Sequence, residues 1–131
     1  MKHKIIKFSS ENSLNLAKDL SVTISGSSNP FDTFNGYKFA VVTMSQDAPH
    51  DGEMHPNGDE IIFLISGHLD ITLEYEEPQV VSVTQGKGIV IPKGIWHKVR
   101  VIEPAHMVTL TPGPDFMFRQ GDKEISRSDK L

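Results

Sequence analysis

The chain has 131 residues, 37% of them apolar and 23% charged, with no cysteine and a formal net charge of −4. Those figures fit one globular domain over residues 1–131, large enough to stand without covalent staples, and they exclude disulfides and thiolate metal sites, so any metal must be held by His, Asp or Glu. The basic residues are scattered, which argues against nucleic acid as a partner; no apolar run has the length of a signal peptide or a membrane span, so no membrane partner and a cytoplasmic location are expected.

In chain order, the first thirty residues are the hardest to assign. Leu14, Ala17 and Leu20 in "SLNLAKDL" (13–20) have helical spacing with Ser13 as a cap, whereas Val22 and Ile24 alternate, so a short N-terminal helix or a strand is expected. "SGSSNP" (25–30) is a loop by composition. From Tyr37 the period is two. "YKFAVVTMS" (37–45) puts Tyr37, Phe39, Val41, Thr43 and Ser45 on one face, as a pocket wall or as plain core. "EIIFLIS" (60–66) is apolar on both faces and stops at Gly67, and "HLDITLEY" (68–75) then alternates, with Leu69, Ile71, Leu73 and Tyr75 together. "QVVSVT" (79–84), "IVI" (89–91), "IWHKVRVI" (95–102) and "AHMVTL" (105–110) follow, separated by the turns "EEP", "QGKG", "PKG" and "EP". Six or seven short strands at even spacing imply an all-β sandwich or barrel. Phe116 and Phe118 come after a Pro/Gly break and are expected to fold back over the barrel, whereas the charged end "RQGDKEISRSDKL" (119–131) reads as a weakly docked tail.

The chemistry concentrates in "EMHPNGDE" (53–60), where Glu53, His55, Asp59 and Glu60 could form a metal site short of one ligand, a catalytic pair or a charged loop. Pro56-Asn57-Gly58 breaks the strand, because Pro cannot donate to a central ladder and Asn-Gly takes up tight turns. His55 can therefore end one strand and Glu60 begin the next with both facing in, while Glu53 shares the parity of His55 and Asp59 points away. His97 lies on an apolar face with Ile95, Val99 and Val101. A buried imidazole there is either a structural histidine bonded to a carbonyl or carboxylate, or a ligand. Of the other histidines, His50 is out of register with His55 and is set aside as a ligand, His68 is expected in solvent, and His106 shares a face with Val108 and Leu110 that could line the interior.

These spacings resemble the two motifs of the cupin superfamily, and in particular its small single-domain metal-binding members. The first motif is His-x-His, four residues, Glu, six residues, Gly, met here by His55, Glu60 and Gly67, with Glu53 at the first His position. The second is Gly, five residues, Pro-x-Gly, two residues, His, met by Gly86, Pro92, Gly94 and His97; Val101 stands where an asparagine often closes it. The resemblance covers about residues 37–112 and implies an antiparallel β-barrel of jelly-roll type, with the N-terminal segment and the tail at its periphery. It also implies a divalent metal ion (Fe, Mn, Ni, Co or Zn) held by His55, Glu60 and His97, with Glu53 as fourth ligand or as a general base on bound water or substrate.

A small-molecule substrate or ligand and a homodimer are implied likewise, the latter through outward apolar residues such as Phe63, Ile65 and Trp96. Three functions follow from the same residues. One is a metal-dependent dioxygenase or isomerase/epimerase acting on a small polar molecule. The second is a non-catalytic small-molecule-binding barrel, with or without a metal. In the third, four protein ligands close the coordination sphere of a purely structural ion.

Overall fold

The computed structural model describes residues 3–9, 11–26 and 34–126; residues 27–30 of the expected loop and the end of the charged tail, 127–131, lie outside them. Among the described residues there are ten strands: β1 Ser13–Ala17, β2 Val22–Ser25, β3 Gly36–Met44, β4 Glu53–Met54, β5 Glu60–Leu73, β6 Gln79–Thr84, β7 Gly88–Ile91, β8 His97–Pro112, β9 Met117–Gln120 and β10 Lys123–Ser126. Among the described residues there is no helix, hence none long and apolar enough to cross a membrane. Every strand pairing is antiparallel.

The organising pair is β5 with β8, matched from Ile61 opposite Leu110 to Leu73 opposite His97. The first half of β5 pairs with β7 and its second half with β6. The second half of β8 pairs with β3, while His97 at its start meets β4. Each long strand thus serves two layers, β2-β1-β3-β8-β5-β7 and β6-β5-β8-β4-β9-β10, which is a jelly-roll arrangement.

Gly67 and Glu103-Pro104 are therefore not the turns that their composition suggests. They are bulges inside continuous strands, with register shifts between Leu64 and Leu69. Gly67 has φ +95°, and a Cβ there would run into the Pro104 carbonyl and come within 2.6 Å of the Ala105 Cα. The bulge also changes the phase of burial: Glu60, Ile62 and Leu64 face in before it, Leu69, Ile71 and Leu73 after it. That phase change is why the apolar run 60–66 cannot be oriented from its own pattern. Substituting Gly67 by Ala is expected to cost about 1–3 kcal/mol in backbone strain alone, with the collision against main chain added. An unchanged denaturant midpoint would show that the bend does not depend on this residue.

The core is formed by Ile62, Leu64, Leu69, Ile71, Leu73, Val83, Ile91, Ala105 and Met107, each large aliphatic chain contributing about 1.5–3 kcal/mol by leaving water. On β3 the inward face is Lys38, Ala40, Val42 and Met44, the opposite of the wall considered from sequence. Tyr37 instead donates its hydroxyl to the Asp59 carbonyl at 2.8 Å, and Phe39 packs on Phe8 with centroids 5.4 Å apart.

The segment 13–20 is a strand and turn, not a short helix. Leu14 and Leu16 sit opposite Phe39 and Tyr37 on one side and Ile24 and Val22 on the other, and Leu20 takes φ +71° in the hairpin turn. Two neighbouring strands satisfy the backbone here, which outweighs a weak three-residue helical spacing. At the other end, 119–126 is no loose tail, because β9 and β10 form a hairpin around Gly121.

Candidate metal centre

Three segments bring the cluster together. Glu53 on β4 pairs with His97 at the start of β8 and with Phe118 on β9. His55 follows β4, and its carbonyl accepts the Gly94 N–H at 3.0 Å, fixing it to the loop that leads to His97. After the Pro-Asn-Gly turn, Asp59 is clamped outward: its carbonyl takes the Tyr37 hydroxyl and its Oδ1 takes the Lys93 N–H at 2.8 Å. Strand alternation then turns Glu60 in, where it is 4% exposed. His55 is 3% exposed and His97 fully buried.

Glu53, His55, Glu60 and His97 each offer one ligand atom, all within 4.8 Å of one another, a group able to hold a metal ion. His55 Nε2 lies 3.1 Å from Glu60 Oε2 and 3.7 Å from Glu53 Oε1; His97 Nε2 lies 3.3 Å from both Glu53 Oε1 and Glu60 Oε1. Donors ~2.1 Å from a common ion stand about 3.0–3.4 Å apart, whereas charge-assisted hydrogen bonds close to ~2.8 Å. The spacing suits ligands around a shared centre, and His97 Nε2 to Glu53 Oε1 at 3.3 Å is also within hydrogen-bond reach.

Two outer contacts aim the donors. The Nδ1–H of His97 donates to the Ile95 carbonyl at 3.2 Å, which leaves Nε2 for the cluster, and the Thr111 hydroxyl donates to Glu60 Oε2 at 2.8 Å. Both ring nitrogens of His55 and Glu60 Oε1 are buried without an aligned hydrogen bond. Leaving such atoms unsatisfied costs on the order of 1–3 kcal/mol each, so this donor set fits a divalent cation, which would satisfy His55 Nε2 and Glu60 Oε1 together.

Electrostatics point the same way. Burial alone would push the imidazoles down, but the attraction and hydrogen bonding of Glu60 and Glu53 prevail and raise His55 to about 9 and His97 to about 10. Burial would push the carboxyls up, yet the two imidazoles hold Glu53 and Glu60 below the usual carboxylate range. Two carboxylates here call for two positive charges, which two protons or one dication supply.

The cluster opens on a cavity of about 270 Å³ that Glu53, Glu60 and His97 line at one end. Its walls are mostly apolar, from Val42, Met44, Ala48, Ile62, Val99 and Met107, with His50, Lys98, Thr109 and Thr111 as further polar members. Phe116 and Phe118 are both 6% exposed and do fold back: Phe116 packs on His55 with centroids 5.7 Å apart, and Phe118 on His50 at 6.0 Å. Arg119 pins this strand, paired with Glu74 at 2.7 Å and stacked 3.9 Å above the Trp96 ring. Trp96 is thus covered by its own chain.

Asp59 stays outside the cluster, as expected. His106 is exposed, not interior, because the inward parity of β8 runs through His97, Ala105, Met107 and Thr109. Thr111, on that same parity, was missed, and counting back from Thr111 to His97 in twos would have found it. His68 is partly buried beside Asp70, 3.2 Å away. His50, set aside as a ligand, stands next to Glu53.

An antiparallel jelly roll with two imidazoles and two carboxylates converging beside an internal cavity defines a β-barrel with a His/Glu cluster able to bind metal. The Cupin domain family matches residues 40–111, more than half of the chain, and the chain belongs to it. No curated protein matches the sequence. Among solved structures, a cupin-2 domain containing protein from Shewanella frigidimarina is similar at 26% identity and a TM-score of 0.50, covering 63% of this chain and 76% of that one. The conserved SPY1581 protein of Streptococcus pyogenes is similar at 24% identity and a TM-score of 0.52, covering 61% and 67%. Protein NMB1881 of Neisseria meningitidis has 19% identity and a TM-score of 0.49 over 63% and 80%. The first two of these likenesses concern the fold.

Proposed function

We propose that the protein is a metal-dependent enzyme of oxidoreductase or isomerase type, with a divalent ion at His55, Glu60, His97 and Glu53. The observation that carries this reading is the pair of buried, unaligned donors, His55 Nε2 and Glu60 Oε1, facing each other's neighbours at ligand spacing beside a cavity. Two carboxylates among four donors favour harder ions, Fe(II) or Mn(II), over Zn(II). Bound there, such an ion supplies Lewis acidity and, in the case of iron, a site for dioxygen.

The chain's own residues do the rest. The apolar wall favours a substrate with a small apolar body and an oxygen-bearing head, which refines the small polar molecule expected from sequence. Val42, Met44 and Met107 exclude water around the body, and Thr109 offers a hydroxyl to the head. Glu53, 22% exposed and the most accessible of the four, is the ligand nearest the open side, where it orients a bound molecule against the ion. A purely structural ion is disfavoured, because the cavity leaves one side of the cluster open.

The test is oxygen consumption by Fe(II)-loaded protein against small carboxylic acids and thiols, together with isomerase assays on Mn(II)- or Zn(II)-loaded protein, each with His97→Ala as control. Ligand binding without turnover in both assays would make the protein a non-catalytic binding module.

The implied homodimer has a ready surface. Ile61, Phe63 and Ile65 on β5 are 37–42% exposed, and Val90, opposite Ile61, is 59% exposed on the same outer layer. We expect a second copy to cover this flat apolar face, giving a dimer mass by light scattering that Phe63→Glu reduces to the monomer. A monomeric wild type would contradict it.

A further inference from the structure

Resting on the metal reading above, we propose that His50 is the positioning residue for Glu53: it holds one carboxylate oxygen so that the other faces the cluster. The two oxygens of Glu53 already look in different directions. Oε1 is 3.3 Å from His97 Nε2 and 3.7 Å from His55 Nε2, whereas Oε2 is 3.6 Å from His50 Nε2. The tautomer of His50 is set locally, because the Gly52 N–H donates to its Nδ1 at 3.3 Å. The ring proton of the neutral imidazole therefore sits on Nε2, the nitrogen facing Glu53. At 3.6 Å the pair is an electrostatic contact, and a small side-chain rotation brings it to hydrogen-bond length.

His50 is itself held on two sides. Its loop is stitched to β9 by Asp51 N–H to the Arg119 carbonyl at 2.9 Å, Arg119 N–H to the Gly52 carbonyl at 3.0 Å and Gly121 N–H to Asp51 Oδ2 at 2.7 Å. Its ring lies against Phe118. In the cluster, His97 leans on the Ile95 carbonyl and Glu60 on Thr111; His50 does for Glu53 what those partners do for theirs. The need is particular to a glutamate at this position. Its terminal torsion is soft, so the contact of Oε1 with His97 alone leaves the carboxylate free to rock, and a partner at Oε2 limits that motion.

The experiment is a Co(II) titration of the metal-stripped full chain by chelator competition, with the melting temperature of each metal-free protein as a second readout. His50→Ala is expected to weaken Co(II) binding by about 10–100-fold. His50→Gln, whose amide nitrogen reaches the Nε2 position, is expected to recover affinity to within about threefold of wild type, with melting temperatures alike. Wild-type affinity in His50→Ala overturns the proposal and leaves the metal reading standing. Equal weakening in both variants, or a loss that tracks a fallen melting temperature, also overturns it and makes His50 structural. A wild type that binds no Co(II) overturns the metal reading and this inference with it.

Discussion

Replacing His97 by alanine is expected to abolish stoichiometric metal binding and to destabilise the metal-free protein by about 3–5 kcal/mol, the usual consequence of removing one partner from a buried ionic group. His97 is fully buried, and its Nε2 is the atom shared by both carboxylates, 3.3 Å from Glu53 Oε1 and from Glu60 Oε1. Without it, two neighbouring carboxylates face a single imidazole, and one of them must take up a proton. The ring also fills space against His55, with centroids 5.5 Å apart, so the variant leaves a void beside a polar atom. Equilibrium dialysis and urea denaturation read the two effects separately. His97→Gln, which keeps a polar atom near the Nε2 position, should recover part of the stability and little of the metal affinity.

The metal-free and metal-loaded proteins are expected to respond differently to pH: above about pH 6.5 the metal-free protein loses stability, whereas the metal-loaded protein holds its own. His55 at about 9 and His97 at about 10 are more basic folded than the ordinary 6.5. Their contribution to stability is therefore complete below about pH 6.5 and is lost as pH rises through 9 to 10. Glu53 and Glu60 are held below the ordinary 4.5, so their contribution is present above that value and is lost as pH falls. The metal-free protein should then be most stable between about pH 4.5 and 6.5. Metal binding runs the other way, because a dication must displace the imidazole protons. Between pH 7 and 8, with both rings protonated, apparent affinity should strengthen by up to about 100-fold, tenfold for each proton released. Thermal melts of chelator-treated and metal-saturated samples across pH 6 to 9.5 decide it. Parallel curves would mean that the metal does not compete for these imidazoles.

Much of the site was legible because its determinants are local. The Pro56-Asn57-Gly58 break lets His55 and Glu60 face in from successive strands, and strand alternation places His97 on the apolar side of β8; the four residues do converge. Strand positions from β3 to β8 were likewise readable from period two and turn chemistry. What failed depended on partners distant in sequence. The face of β3 was misjudged because both faces carry apolar residues, and only the pairing of β3 with β8 selects Val42 and Met44 for the interior. Gly67 and Pro104 looked like turns, but they lie opposite one another across β5 and β8, where a bulge and a bend coincide. His50 was dismissed on register with His55, yet its place beside Glu53 is set by β9, some seventy residues on, through Asp51, Gly52 and Arg119. Segment 13–20 was ambiguous for the same reason, since its strand character comes from Tyr37 and Phe39 across the sheet.

Whether the four converging donors hold a metal ion is read out by elemental analysis of protein purified without an affinity tag, beside His97→Ala. The wild type is expected to carry close to one equivalent of a transition metal per chain, taken up again after stripping when Fe(II) or Mn(II) is supplied, and the variant almost none. Less than about a tenth of an equivalent in both proteins, with no uptake on resupply, would contradict it.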